Sequence, residues 1–334
     1  MKKVVSFSGG RTSAYLCKVM IDKFGRDNVD FVFMDTGAEH PKTYEFIKNV
    51  NREFGLNLTC LRLKINPELG KGNSYSVVSI NDIKPDLKPF KDMISKYGVP
   101  YIGGMFCTDR MKLTPFKKYC DDVYGKNNYE TWLGIRFDEP SRIIGGNKKK
   151  SLSAYKQLKI NGLSDEAVSL LYVNLRLGII GLENIKIDDL SKELIIKRMT
   201  QLNKENLHYM AEVSDFDKQD ILNYWSKMPF DLDLNEWSGN CEFCPKKSDL
   251  KLAASQRDSP ESYINYVDML YSDSVRVDNN TGHWSKMYRG KQSLESLIAK
   301  FDGSTGEEIK ARIRGGKMID KNSCSESCEV FSGE

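Results

Sequence analysis

Histidine is scarce in this chain, with three residues in 334, so a metal centre built on imidazoles has little to draw on. No Gly-x-x-x-x-Gly-Lys-Ser/Thr stretch occurs, which argues against a conventional P-loop NTPase. Long apolar runs are missing too. The nearest, Val168 to Leu182, is broken by Asn174 and Arg176, so no membrane span is expected. Met1-Lys2-Lys3 runs directly into strand-forming residues with no room for a signal peptide, so a cytoplasmic location is expected. Internal repeats and low-complexity blocks are absent. A net charge of +4 permits nucleic-acid contact without demanding it.

What is present concentrates in three places. Ser6 and Phe7 close an apolar run that leads into Ser8-Gly9-Gly10-Arg11-Thr12-Ser13 and then a segment of helical period. A strand, a tight turn and a helix N-terminus make an anion site. Gly9 and Gly10 let backbone N–H groups approach phosphate oxygens, Ser8, Thr12 and Ser13 add hydroxyls, and Arg11 adds charge. A second buried strand, Phe31 to Met34, ends in Asp35-Thr36-Gly37-Ala38-Glu39-His40-Pro41. A third, Glu130 to Ile135 with Gly134 inside it, ends in Arg136-Phe137-Asp138-Glu139-Pro140-Ser141-Arg142. Polar residues at the carboxyl ends of parallel strands mark the ligand edge of an open sheet.

These three segments resemble, in order and content, the family that joins phosphoadenosine-phosphosulfate (PAPS) reductases to the ATP pyrophosphatases. Ser8 to Ser13 is similar to its Ser-Gly-Gly-x-x-Ser loop, Asp35-Thr36-Gly37 with Glu39 and Pro41 to its second motif, and Gly134-Ile135-Arg136 with Asp138, Glu139 and Arg142 to its third. Cys107-Thr108-Asp109-Arg110-Met111-Lys112 resembles its cysteine-then-basic segment, and Pro229 to Leu232 with Gly239 to Cys244 resembles members carried by phages and mobile elements. Where many ATP pyrophosphatases carry Lys-Asp, this chain has Arg11-Thr12, so the acidic residue's role does not carry over. The resemblance implies an α/β, Rossmann-like, doubly wound and mostly parallel sheet over residues 1–145. A helical, cysteine-rich region over 146–334 would pack on it.

Eight cysteines form the other strong signal. Cys17, Cys60 and Cys120 lie in regular segments and read as small buried hydrophobes. Cys241-Glu242-Phe243-Cys244 has the two-residue gap that lets two thiolates face one metal. Cys107 is expected near the nucleotide edge, and Cys324 or Cys328 from the tail is available as a fourth ligand, with Cys328 favoured by resemblance to phage-type tails. For the set Cys107, Cys241, Cys244 and Cys328 the resemblance to sulfur-chemistry relatives implies a [4Fe–4S] cluster, with Zn²⁺ as the alternative.

The remaining regions yield coarser expectations. Residues 64–105, rich in Lys, Pro and Gly with few periodic runs, read as an insertion crossing the nucleotide edge. Lys148-Lys149-Lys150 reads as an exposed tip. Residues 164–226 read as helices, with Ala167, Leu170, Leu171, Val173 and Leu175 on one buried face, then Leu190, Leu194, Ile195 and Met199 on another. Tyr224, Trp225 and Phe230 read as core. His40 is a candidate to face the nucleotide, whereas His208 and His283 belong to no motif. Asp35, Glu39, Asp138 and Glu139 either hold Mg²⁺ or cap helices and pair with Arg136 and Arg142.

The resemblance implies an enzyme that adenylates a substrate with ATP, releases pyrophosphate and uses the cluster for sulfur transfer, with Arg11, Arg136, Asp138 and Glu139 as its working side chains. A nucleoside or nucleic-acid acceptor and a sulfur-donor protein are the partners it allows. Two alternatives stand beside it: a reductase of PAPS or a related sulfonucleotide, and a non-catalytic nucleotide-binding subunit of a DNA-modification or defence system.

Overall fold

A computed structural model describes residues 1–101, 104, 106–145, 152–235, 237–239, 241–277 and 288–315. The expected α/β architecture is there. Strands β1 (Lys2–Phe7), β2 (Val29–Met34), β3 (Thr59–Lys64), β4 (Ser74–Val78), β5 (Tyr129–Leu133) and β6 (Leu207–Tyr209) form one sheet in the order β4-β3-β2-β1-β5-β6. Every neighbouring pair is parallel except β3 with β4.

Strand sequence explains the layering. Along β1 and β2 successive side chains point to opposite faces. Val5, Phe7, Phe31 and Phe33 therefore enter one core, whereas Val4, Val32 and Met34 enter another. The first core is closed by α1 (Arg11–Phe24) and α2 (Pro41–Phe54), the second by Phe116 and Cys120 of α4 (Thr114–Tyr124), which follows α3 (Lys88–Tyr97). Cys17, Cys60 and Cys120 are fully buried among apolar groups.

Helical additions fill the rest. Between β5 and β6 run α5 (Pro140–Ile143), α6 (Ala154–Ile160), α7 (Asp165–Arg176) and α8 (Asp189–Lys204), which share a core with Leu133, Ile135 and Tyr209. Ser164 and Asp188 cap α7 and α8 by accepting from the backbone N–H groups of Ala167 and Ser191. Leu170 and Leu190, expected on buried faces, are instead exposed, and the inward positions are Val168, Leu171, Tyr172 and Ile195. Helix α9 (Lys218–Trp225) carries Trp225 into the first core, where its indole N–H donates to the Arg11 carbonyl at 3.0 Å. Then follow α10 (Asp249–Asp258), α11 (Pro260–Leu270), α12 (Leu294–Ala299) and α13 (Gly306–Gly315).

The insertion expected over 64–105 is more regular than its composition suggests. It contributes β4 to the sheet edge and α3, whose Phe90, Met93 and Ile94 pack with Leu252, Tyr266 and Tyr288 from the C-terminal helices. Cys324, Cys328, His283 and Lys148 to Lys150 lie outside the described residues.

Candidate functional site

Strand order fixes where a ligand can sit. The chain winds from β1 through β2 to β3 in one direction and through β5 to β6 in the other, so the topological switch lies between the carboxyl ends of β1 and β5. The loops leaving those two strands are Ser8-Gly9-Gly10 and Gly134 to Glu139.

The first loop is held open by its own hydroxyls. Ser8 Oγ and Ser13 Oγ are 2.8 Å apart, and Ser13 Oγ also takes the Ser8 N–H at 3.2 Å and donates to the Gly10 carbonyl at 3.0 Å. Gly9 has φ +83°, and a Cβ there would meet Thr43 Cγ2 and Ile47 Cδ1 of α2 at 3.0 Å. Gly10 is the extended N-cap of α1, with no side chain capping the helix, an arrangement in which the N–H groups of a first turn can meet an anion.

Arg136 reaches across from β5, its Nη1 donating to Thr12 Oγ1 at 3.3 Å. Asp138 holds the same guanidinium by two bonds, at 2.7 and 3.3 Å. Glu139 accepts from the Arg136 backbone N–H at 3.0 Å and from Arg142 Nη1 at 2.5 Å. Burial would raise the Glu139 carboxyl, yet Arg142 and Arg136 outweigh it and the group lies below the usual range. Asp138 and Glu139 thus pair with Arg136 and Arg142.

Arg11, expected to add charge for a phosphate, is also paired within the chain. Its guanidinium forms a bidentate pair with Asp231, at 2.7 and 3.0 Å, and donates to the Leu232 carbonyl. Lys42 at the start of α2 pairs with Asp233. The segment from Pro229 to Leu234 is thereby strapped to the N-terminal turns of both helices.

The second motif is a buried polar network. Asp35 accepts from Arg62 Nε at 2.6 Å, from Tyr44 Oη at 2.8 Å and from the Gly37 N–H at 2.9 Å. Glu39 accepts from Thr36 at 2.8 Å and Tyr44 at 3.0 Å, and Lys112 lies 3.8 Å away. The insertion closes on Gly37, whose carbonyl accepts from the Leu87 N–H at 2.9 Å. With φ +71° and Pro89 Cδ only 2.8 Å from a hypothetical Cβ, no other residue fits there. His40 caps α2, its Nδ1 accepting from the Lys42 N–H at 3.1 Å, which is a structural role. His208 stacks on Trp132 and pairs with Glu212.

The two-cysteine turn docks on this motif. Glu39 and Cys241 form an antiparallel bridge, and the Glu242 N–H donates to the Ala38 carbonyl at 3.1 Å. Cys107 enters the same neighbourhood just before a π-helical turn over Asp109–Leu113 that leads into α4. Burial pushes the Cys241 thiol well up, and Cys244, Glu39 and Cys107 add to the rise, so the three thiols are electrostatic neighbours. They are not closed into a ready-made set: among the described residues no three His, Cys, Asp or Glu side chains are gathered to hold a metal ion. A cleft of about 240 Å³ lies beside them, lined by Ala38, Glu39, Leu87, Glu242, Phe243 and Tyr266 among others.

Residues 2–143 match the family model of the phosphoadenosine phosphosulfate reductase domain. The chain is 39% identical over 339 positions to the uncharacterized nin region protein ORF290 of Escherichia phage lambda, across 100% of its own length and 97% of that protein's. The chain belongs to the PAPS reductase family. Two uncharacterized proteins of Methanocaldococcus jannaschii, MJ0066 and MJ0973, are 27% and 29% identical over 161 and 133 residues. Those alignments cover 48% and 38% of this chain but only 28% and 26% of the two proteins.

The family is of the nucleotide-binding, adenylation type. The match ends at Ile143, at the last residue of α5, so the three motifs lie inside it and the two-cysteine turn lies outside. Among the described residues no helix is long and apolar enough to cross a membrane.

Asp35 gives the motif a pH signature. Its carboxyl is pushed up to about 6, first by burial and then by Glu39, against the pull of Arg62. An unfolded Asp titrates near ~3.9. The native state therefore keeps its proton longer, and its stability falls as pH rises from about 4 to about 6, by up to ~3 kcal/mol. Asp35→Asn should flatten that part of a melting-temperature profile; an unchanged slope would assign it to another group.

Proposed function

We propose that this protein uses ATP to adenylate an oxygen of its substrate with release of pyrophosphate, as the step before sulfur transfer. The observation that carries the reading is the Arg136–Thr12 contact, which ties the third motif to the phosphate loop across the topological switch. The substrate oxygen attacks the α-phosphorus, the bond from that phosphorus to the bridging oxygen breaks, and pyrophosphate leaves. A sulfur nucleophile then displaces AMP from the activated carbon.

In this reading the N–H groups of Gly9 to Ser13, with the hydroxyls of Ser8 and Thr12, bind phosphate oxygens, and Arg136 meets the charge that develops on them. Asp138 and Glu139 with Arg142 fix the angle of Arg136. Arg11 acts through its strap to Asp231, as a positioning residue. The four carboxylates considered for Mg²⁺ are all engaged by Arg, Tyr, Thr or Lys donors, so Mg²⁺ is assigned no protein ligand here.

The soft thiols of the Cys241-Glu242-Phe243-Cys244 turn fit a thiolate-held centre better than a hard cation. Cys107, Cys241 and Cys244, with Cys328 from the tail, would hold a [4Fe–4S] cluster, which when bound carries or positions the sulfur. Zinc on the same residues would serve as a structural staple.

The test is pyrophosphate release from ATP by the anaerobically purified chain, with Arg136→Ala alongside. Release that falls on the order of 10²-fold in the variant supports adenylation. Sulfite release from PAPS with thioredoxin would replace it with reduction, and nucleotide binding without either product would leave a non-catalytic subunit.

A further inference from the structure

Four carboxylates are buried among the described residues, and three of them have a cation beside them. Asp35 has Arg62 at 2.6 Å, Glu212 has Arg176 at 3.3 Å and Glu39 has Lys112 at 3.8 Å. Glu242, 4% exposed, has no ion pair among the described residues, and its Oε1 has no hydrogen-bond partner there. Lys247 does not fill the gap, because its ammonium donates to the main-chain carbonyls of Trp237 and of Glu242 itself, at 2.5 and 2.9 Å. The hydroxyls of Ser259 and Ser262 at the start of α11 bond the carboxyl, yet burial outweighs them and the Lys247 charge and pushes the group up. Glu242 is a spacer between the two cysteines, and the cysteine motif gives it no task.

A buried carboxylate is held at a cost unless a cation or a donor meets it. The partner missing from the chain has a route in, since Glu242 lines the cleft of about 240 Å³ beside the second motif. Every charged side chain lining that cleft is acidic: Glu39, Glu242 and the exposed Glu261 of α11. The positive end of α11 is already met by Glu261 in its first turn, so it does not turn the cleft into an anion site. Pro41, Leu87 and Phe243 give apolar walls, and among the described residues no three acids, thiols or imidazoles are gathered to hold a metal ion. We propose that this cleft binds an organic cation, an ammonium, amidinium or guanidinium group on a small apolar body, with Glu242 as its paired carboxylate. Glu261 adds charge on the exposed side, and the apolar walls hold the body.

The test is calorimetric titration of the full chain, without nucleotide, with benzamidine as the probe and benzyl alcohol as its neutral counterpart. Benzamidine is expected to saturate one site with a Kd on the order of 1 mM or below, and benzyl alcohol to bind about tenfold or more weakly. Glu242→Gln, folded by circular dichroism, should weaken benzamidine by about tenfold or more, and the exposed change Glu261→Gln by about twofold. Equal affinity for the two probes, no saturation by about 10 mM benzamidine, or wild-type affinity in Glu242→Gln overturns the site. Where Glu242→Gln fails to fold, the two probes on the wild-type chain decide instead. Because no ATP is present, the cleft stands or falls separately from adenylation: a chain that releases no pyrophosphate and still prefers benzamidine keeps its cation site.

Discussion

Gly9→Ala is expected to lose both stability and nucleotide affinity, whereas Gly10→Ala loses affinity alone. Gly9 sits at φ +83°, where an L-residue is strained by ~1–2 kcal/mol. The added methyl would also press on Thr43 and the fully buried Ile47 at 3.0 Å, so α2 has to give by a few tenths of an ångström. Together these destabilise by about 2 kcal/mol. The same shift moves the N–H groups assigned to the proposed phosphate loop, and a loss of about tenfold or more in affinity is expected from the steep geometry of such bonds. Gly10 has φ −96° and ψ 162°, a conformation open to any residue. Its substitution should leave melting within about 0.5 kcal/mol while the new Cβ crowds an approaching phosphate. Calorimetric titration with ATP and a thermal melt on each variant separate the two effects. Wild-type affinity in both variants would sink the phosphate-loop assignment.

The contrast between those glycines shows where the sequence was legible. Strands β1, β2 and β5 carry the short apolar runs Val4-Val5, Phe31 to Met34 and Trp132-Leu133, so their buried state and their polar carboxyl ends could be read from residue order. The local pairs could be read as well, because Arg136 with Asp138, and Arg142 with Glu139, are two and three residues apart. Arg11 could not be read. Its partner Asp231 is 220 residues away, and no periodicity marks that encounter. Strand β6 escaped for another reason: three residues, Leu207–Tyr209, flanked by helices, give too short an alternation to stand out, and its place in the sheet comes from pairing with β5. Strand β4 lies at the sheet edge with half-exposed side chains, so its alternation is weak. Leu170 and Leu190 were misplaced because apolar residues around a helix do not all face the core, and only the packing partners choose among them.

The two-cysteine turn shows the same division between local and distant information. Spacing alone marks Cys241 and Cys244, but their docking on Ala38 and Glu39 ties the second motif to a segment two hundred residues later. Cys60 is the useful control, since it is a fully buried thiol whose burial pushes it up to about 12 and which neighbours no other cysteine in its strand. Cys241→Ser should remove iron and sulfide from about four of each per chain to a small residue, because a serine oxygen is a poor ligand for iron held by thiolates. The melting temperature should fall with it, since metal bound only by the folded state adds its binding energy to stability. Cys60→Ala, a smaller change in an apolar wall, should keep the metal and cost about 1 kcal/mol. If Cys241→Ser keeps wild-type metal and melting temperature, the thiols are not the ligands. The proposed nucleotide site alone would then carry the chemistry.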